Sequence, residues 1–281
     1  MKLFIDLCQA KGTAFELQMN YNIQMPELPD IEVFTRNLKK MFGGKTLSKI
    51  KLVNNKNIKD SQKDLAKALE GQKLIDVYRS GKEMRFLFSN GRILGLHLML
   101  TGDLIPFNEK NERKSTKVEL YFDKGNNLAL TDRFKAAFIK LDPEDKEGID
   151  ALDPKLNYRF LKKALNRKAA IKNVLLDQNV IRGIGNAYSD EILWQTGISP
   201  FSKADSIPDD KIIELAKNIK KVLKKATTKI YKNHPGLIHG EIRDFLDIHT
   251  KKKEKSPTGA KIRVADRGML NTYYTDEQVL Y

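Results

Sequence analysis

The fold turns on residues 171–193, Ile171-Lys172-Asn173-Val174-Leu175-Leu176-Asp177-Gln178-Asn179-Val180-Ile181-Arg182-Gly183-Ile184-Gly185-Asn186-Ala187-Tyr188-Ser189-Asp190-Glu191-Ile192-Leu193. Ile171, Val174 and Leu175 share one helical face, and Tyr188, Ile192 and Leu193 share another. Two helical segments therefore meet across Gly183-Ile184-Gly185-Asn186, where the glycines permit a tight backbone turn. The first amides of the second helix have no partner within it, and such a start can receive a phosphate. As a nucleotide loop it fails, because no strand precedes it and no Gly-Lys-Ser/Thr follows.

Downstream, Ile212, Leu215, Ile219, Val222 and Ala226 form a long apolar stripe, with Ser206-Ile207-Pro208-Asp209 as its expected cap. Upstream, the stretch from Pro143 to Pro154 is acidic and turn-rich, as an exposed connection between domains would be. Between Lys45 and Leu141 the chain consists of short runs rich in β-branched and aromatic residues. Leu74 to Tyr78, Met84 to Phe88 and Val118 to Phe122 are examples, separated by turn signals such as Ser89-Asn90-Gly91 and Lys124-Gly125-Asn126-Asn127. This is the pattern of a β-sandwich or barrel. Ahead of it, Pro29 and Asp30 introduce a helix whose apolar face carries Ile31, Phe34, Leu38 and Met41. At the far end a basic loop, Lys251 to Lys255, precedes Ala260 to Val264 and Tyr273 to Tyr281, which read as a two-stranded hairpin. The fold class is α+β.

Length agrees with this division, since 281 residues correspond to about two domains. No run approaches the ~20 apolar residues that span a bilayer, and Asp6 interrupts the start before a signal-peptide core could form. A cytoplasmic location, with the nucleoid, is expected. Lys and Arg number 51 against 36 Asp and Glu, a net charge of +15 that favours a polyanionic partner. The single cysteine, Cys8, excludes internal disulfides and thiolate zinc sites. His97, His234, His239 and His249 are scattered and read as non-ligands, with His97 packed beside a strand from Leu94 to Leu100.

Three places carry candidate chemistry. Met25-Pro26-Glu27-Leu28-Pro29-Asp30-Ile31-Glu32 puts a proline directly after a methionine that could initiate translation. Once exposed at a chain start, Pro26 would be a secondary amine able to attack an aldehyde carbon, and its adduct is an iminium that acts as an electron sink. Glu27 stands beside it to move protons. The competing reading is that Pro26 and Pro29 only punctuate an extended lead-in to the helix. Lys82, in Arg79-Ser80-Gly81-Lys82, lies on a turn between two strands, where a lysine is commonly just solvated. Arg267 sits at the tip of the terminal hairpin and is suited either to bidentate phosphate contact or to plain solvation.

In order, these segments resemble the formamidopyrimidine-DNA glycosylase family, which includes the endonuclease VIII-like enzymes. Met25 to Glu32 resembles the family's amino terminus, with Leu28 favouring the formamidopyrimidine branch, and Arg79 to Lys82 matches its strand turn. His97-Leu98-Met99-Leu100-Thr101-Gly102, Gly148 to Pro154 and Leu175 to Glu191 resemble the following strand, the linker and the helix-two-turns-helix element. The resemblance covers residues 25–281. It implies a β-sandwich catalytic domain over residues 25–142, a linker over 143–156, a helix-two-turns-helix domain over 157–245 and a zincless finger hairpin over 246–281. On that template Pro26 is the nucleophile at the sugar C1′ and Glu27 transfers protons. Lys82, Asn186 and Arg267, with the Gly183 and Gly185 backbone, hold the phosphates that flank an everted nucleotide. The implied partner is double-stranded DNA containing oxidised bases or abasic sites, bound by a monomer with no cofactor, no zinc and no membrane.

Four departures mark this chain. Residues 1–24 precede the family's start, and the expectation is a misassigned start or a removed extension; retained, they would make the Pro26 nitrogen an amide. The finger lacks zinc ligands, and Asp266 stands beside Arg267 where a glycine is usual. Of the residues that fill the hole left by the flipped base, Leu100 takes a methionine position, and Arg133, Phe134 and Lys135 are the available substitutes for the others. Ile230 to Phe245 does not match the loop that caps 8-oxoguanine in some relatives. The reading is a bifunctional glycosylase and abasic-site lyase. Its rivals are a catalytically silent damaged-DNA-binding protein on the same fold and an RNA-binding helical protein.

Overall fold

The computed structural model describes residues 25–267 and 270–281, so the expectation for residues 1–24 lies outside the described part. The expected first helix, α1 (Leu28–Phe42), has Pro29 and Asp30 in its first turn and Lys39 and Lys40 in its last. That distribution suits both the orphan amides and the helix dipole. Its apolar face enters two cores: Leu28 packs in the helical unit, whereas Ile31, Phe34, Leu38 and Phe42 pack in the sandwich. One helix thus belongs to both halves of the molecule.

The strands follow as β1 (Leu47–Leu52), β2 (Leu74–Ser80), β3 (Glu83–Phe88), β4 (Ile93–His97), β5 (Gly102–Phe107), β6 (Thr116–Phe122), β7 (Asn127–Asp132) and β8 (Phe138–Leu141), with α2 (Gln62–Leu69) between the first two. They form two four-stranded antiparallel sheets, β1-β6-β7-β5 and β2-β3-β4-β8. Leu47, Ile50, Leu120, Leu128 and Leu130 from one sheet meet Val77, Met84, Phe86, Leu94 and Ile139 from the other. The strand expected from Leu94 to Leu100 ends at His97, because Met99 adopts a positive φ of 55° and the chain turns until Gly102 N donates to Leu98 O at 2.9 Å. Leu100 therefore stands on a turn.

The acidic connection is less exposed than expected. Its β9 (Ile149–Asp150) pairs in parallel with β10 (Ile181–Arg182), and Ala151 and Leu156 are buried in the helical core. The helices are α3 (Tyr158–Leu165), α4 (Ile171–Leu176), α5 (Asn186–Thr196) and α6 (Asp209–Asn233). Ile212, Leu215, Ile219 and Ala226 of the long stripe are buried, while Val222 packs at the margin. The expected serine cap is not used: Pro208 holds the cap position without a side-chain bond, and Asp209 and Asp210 offset the dipole.

The terminal hairpin pairs β11 (Ile262–Arg267) with β12 (Leu270–Thr275), so only half of the expected Tyr273 to Tyr281 strand belongs to it. Beyond Thr275, Gln278 accepts from Thr275 N and donates to Ile198 O, and Val279 bridges to Ile198 in parallel. The last residues thereby fasten to the helical unit. Among the described residues no helix is long and apolar enough to cross a membrane.

Arg79 joins the halves: its guanidinium bonds Glu32 at 2.9 Å and Asp150 at 2.5 and 3.1 Å, with 7% of its side chain exposed. Arg79→Met strands two carboxylates that are themselves partly exposed, so it should lower stability by about 2–3 kcal/mol. A urea titration checks this, and an unchanged midpoint would deny the bridge its role.

Candidate active site

The site is built where α1 begins and α5 begins. Glu27 is 4% exposed, and its carboxylate accepts from the amides of Gly185 at 2.7 Å, Ala187 at 2.8 Å and Tyr188 at 3.3 Å. These are the helix-start amides expected to be open to a phosphate. Glu27 takes them instead, because a buried carboxylate needs donors and the first amides of a helix need acceptors. Gly185 has no room for a side chain: a Cβ there would lie 2.4 Å from Glu27 Cδ and 2.6 Å from Lys82 Nζ. Gly183 has φ +103°; its carbonyl accepts from Leu28 N at 3.1 Å and its amide donates to Gln178 Oε1. Neither glycine amide is open, which corrects that part of the expectation.

Gln178 was not singled out from the sequence. Its amide nitrogen donates to Leu176 O and Ile184 O while its oxygen takes Gly183 N, so one side chain braces both turns. A carboxamide between two apolar helical faces was the available signal.

Pro26 is buried beside Glu27. Lys82 follows Gly81, whose φ of +62° reverses the chain between β2 and β3. That turn is held by Arg79, which donates to Gly81 O, by Asp150, which accepts from Gly81 N, and by Arg182, which donates to Ser80 Oγ. Burial pulls the Lys82 ammonium below its usual range against the attraction of Glu27, and Arg243 and Lys146 add to the lowering. The structure thus brings Pro26, Glu27, Lys82 and Gly185 together. Asn186 faces the hairpin, where its amide donates to Asn271 O at 3.0 Å, and its buried Oδ1 has no partner among the described residues. Arg267 ends β11 opposite Leu270, while its side chain lies outside the described part.

The expected void-filling residues form a second cluster. Asp132 accepts from Thr101 Oγ, from Phe134 N at 2.9 Å and from Ala137 N at 2.5 Å. One carboxylate therefore ties the Leu100 turn to the loop that carries Arg133, Phe134 and Lys135. Lys135 has φ 59°, and its carbonyl takes bonds from Lys117 Nζ and Asn57 Nδ2. Arg133 and Lys135 are exposed and Phe134 is partly buried.

Among the described residues no group of three His, Cys, Asp or Glu could hold a metal. His249, read from the sequence as a non-ligand, has Nδ1 2.8 Å from Asp190, and the Lys172 ammonium lies 2.6 Å from the same carboxylate. His97 stacks on Phe138 and accepts from Met99 N at 2.9 Å, a packed residue at the end of β4.

Comparison with known proteins gives matches along both halves. The family model for the formamidopyrimidine-DNA glycosylase N-terminal domain matches residues 25–138, and that for the H2TH domain of the same enzymes matches residues 148–233. A formamidopyrimidine-DNA glycosylase of Lactobacillus johnsonii is 33% identical over 280 residues, covering 92% of this chain and 100% of the relative. Another, of Mycoplasma genitalium, is 34% identical over 251 residues, 82% of this chain and 87% of the relative. A solved complex of Lactococcus lactis Fpg with abasic-site DNA superposes with a TM-score of 0.80 at 23% identity, covering 89% of this chain and 98% of that one. A complex of the same Fpg with FAPY-dG DNA gives 0.79 at 23% identity, with the same coverage. The structural likeness shows a shared fold.

Burial, with Lys146 and Lys82 nearby, pulls His97 from 6.5 to about 3. Between those values the unfolded chain binds a proton that the folded one refuses, so the histidine costs stability as pH falls from 6.5 toward 3. His97→Asn should therefore narrow its stability deficit, or gain on the wild type, between pH 7 and pH 4. Urea midpoints across that range measure it, and a constant difference would contradict the assignment.

Proposed function

The chain belongs to the formamidopyrimidine-DNA glycosylase family, and from that membership we propose that it is a bifunctional DNA glycosylase and abasic-site lyase of base excision repair. Its substrates in this reading are oxidised bases, formamidopyrimidines among them, in double-stranded DNA in the cytoplasm. The observation that carries the reading is the Glu27 carboxylate, fixed by three α5 amides next to Pro26 and against Lys82.

The nucleotide must leave the stack to be reached, at a cost of a few kcal/mol that cationic contacts to its phosphates offset. The +15 net charge draws the duplex in, and Lys82, Asn186 and Arg267 are assigned to the flanking phosphates. The Asn186 Oδ1, without a partner among the described residues, belongs to the same carboxamide whose nitrogen is directed at the hairpin, so in this role the residue also couples α5 to the finger. Pro26 nitrogen gives its lone pair to C1′ as the glycosidic bond breaks and the base leaves with a proton. Protonation of O4′ then opens the ring to the iminium. Loss of a C2′ proton into that electron sink expels the 3′ phosphate, and a second elimination expels the 5′ phosphate. Glu27 is held by backbone donors that stay put throughout, so it can pass protons without moving from the sugar.

The nucleophile must be an unblocked imino nitrogen. The family match beginning at Met25 supports initiation there, followed by removal of the methionine. A chain that retains residues 1–24 would have an amide at Pro26 and no lyase chemistry, and the mass of the protein from its native host distinguishes the two.

Protein beginning at Pro26 should become covalently linked to abasic-site DNA under borohydride, and Pro26→Gly should lose most of the crosslink. Tight binding without crosslinking by the correctly processed protein would favour the binding-only reading. Glu27→Gln should stop base excision, by about 10²-fold or more, while sparing part of the lyase activity on preformed abasic sites. Equal loss of both would remove Glu27 from the base-release step.

A further inference from the structure

The Asp30 carboxylate is fully buried in the first turn of α1, and each of its oxygens takes one terminal nitrogen of Arg243, at 2.9 and 2.6 Å. The Oδ2 oxygen also accepts from Glu27 N at 2.9 Å. That nitrogen is the far half of the Pro26–Glu27 peptide, and because the peptide is planar, holding its N–H fixes the plane from which Pro26 projects. We infer that Arg243 is a positioning residue for the Pro26–Glu27 peptide, acting through Asp30. The inference rests on the glycosylase reading above.

Arg243 comes from the segment that follows α6, more than two hundred residues away in the chain. That segment is pinned on both halves of the molecule: Leu237 O accepts from Asn37 in α1, Ile238 is buried in the sandwich core and Leu246 in the helical core. The guanidinium lies 5.1 Å over the Tyr188 ring and 2.9 Å from Glu241, and 9% of the side chain is exposed. Its fork matches both Asp30 oxygens at once, which a single ammonium cannot do. Without it the buried carboxylate keeps, among the described residues, only the Glu27 amide as a partner, and the Pro26–Glu27 peptide loses the restraint on its plane even though the Glu27 carboxylate stays on the α5 amides. A displacement of about 1 Å at a reacting group costs roughly 10²-fold in rate.

The test uses protein beginning at Pro26, in excess over abasic-site DNA, and follows borohydride crosslinking in a single turnover. At saturating protein, Arg243→Met should crosslink about tenfold or more slowly while its DNA dissociation constant stays within about twofold of wild type. Arg243→Lys should recover part of the rate. Asp30→Asn, similar in size and shape, should show the same defect, and the double variant should be no slower than the slower single one, because both changes cut one linkage. The proposal is overturned if Arg243→Met crosslinks at the wild-type rate, if its loss follows DNA affinity, if lysine rescues nothing, or if the two defects multiply. Should Arg243→Met fail to fold, Arg243→Lys and Asp30→Asn decide: a normal rate in both overturns the proposal, and a slowed rate with unchanged affinity supports it. No crosslink from the unaltered protein would sink the glycosylase reading and this inference together. A normal crosslink from both the unaltered protein and the variants sinks this inference alone.

Discussion

The carboxylate of Glu27 sits where the first turn of α5 leaves its amides unpaired, and the arrangement of the rest of the molecule follows from that contact. A buried carboxylate and a buried helix start each carry a large desolvation cost, and each removes the other's. The contact joins the start of the sandwich domain to the heart of the helical one. It requires the bare backbone of Gly185, since any Cβ would collide with Glu27 and Lys82. It also sets the origin of α1, so that Leu28 falls into one core and Ile31 into the other.

Arginines reinforce the junction. Arg79 spans Glu32 and Asp150, Arg182 reaches Ser80 across the same seam, and Arg243 grips Asp30. Guanidinium suits this work because it stays charged when buried and meets a carboxylate at two points. The Asp150 carboxyl is held below its usual range by Arg79 and by the Leu152 and Gly81 amides, against the burial that would raise it. The connection between the domains is therefore a fixed joint, and it presents the β2–β3 turn with Lys82 to the Glu27 carboxylate.

The same helix that receives Glu27 also holds the finger. One turn into α5, Asp190 meets His249, Lys172 and the amide of Tyr273, and Glu191 accepts from the amides of Asp247, Ile248 and His249. Burial raises the Glu191 carboxyl, and those three amides oppose the rise. Placement of the hairpin thus rests on carboxylates in a helix that is buried nearly all round. The C-terminal residues add a strap, with Val279 and Tyr281 bonded to the loop that follows α5.

Local patterning in the sequence determined the elements and their class. Ile31, Phe34 and Leu38 mark α1, the β-branched runs mark the two sheets, and the stripe from Ile212 to Ala226 marks α6, because a buried face imposes its period on the chain that supplies it. Pro26, Glu27 and Lys82 were likewise legible as candidates, since reactive groups have few substitutes. Tertiary structure alone decided which polar groups meet. The α5 amides donate to Glu27 instead of remaining open, Gln178 braces two turns, Asp132 ties two loops and Arg243 reaches Asp30. Each is a contact between residues with no periodic relation, and in each the pairing is set by where burial leaves a charge or an amide without water.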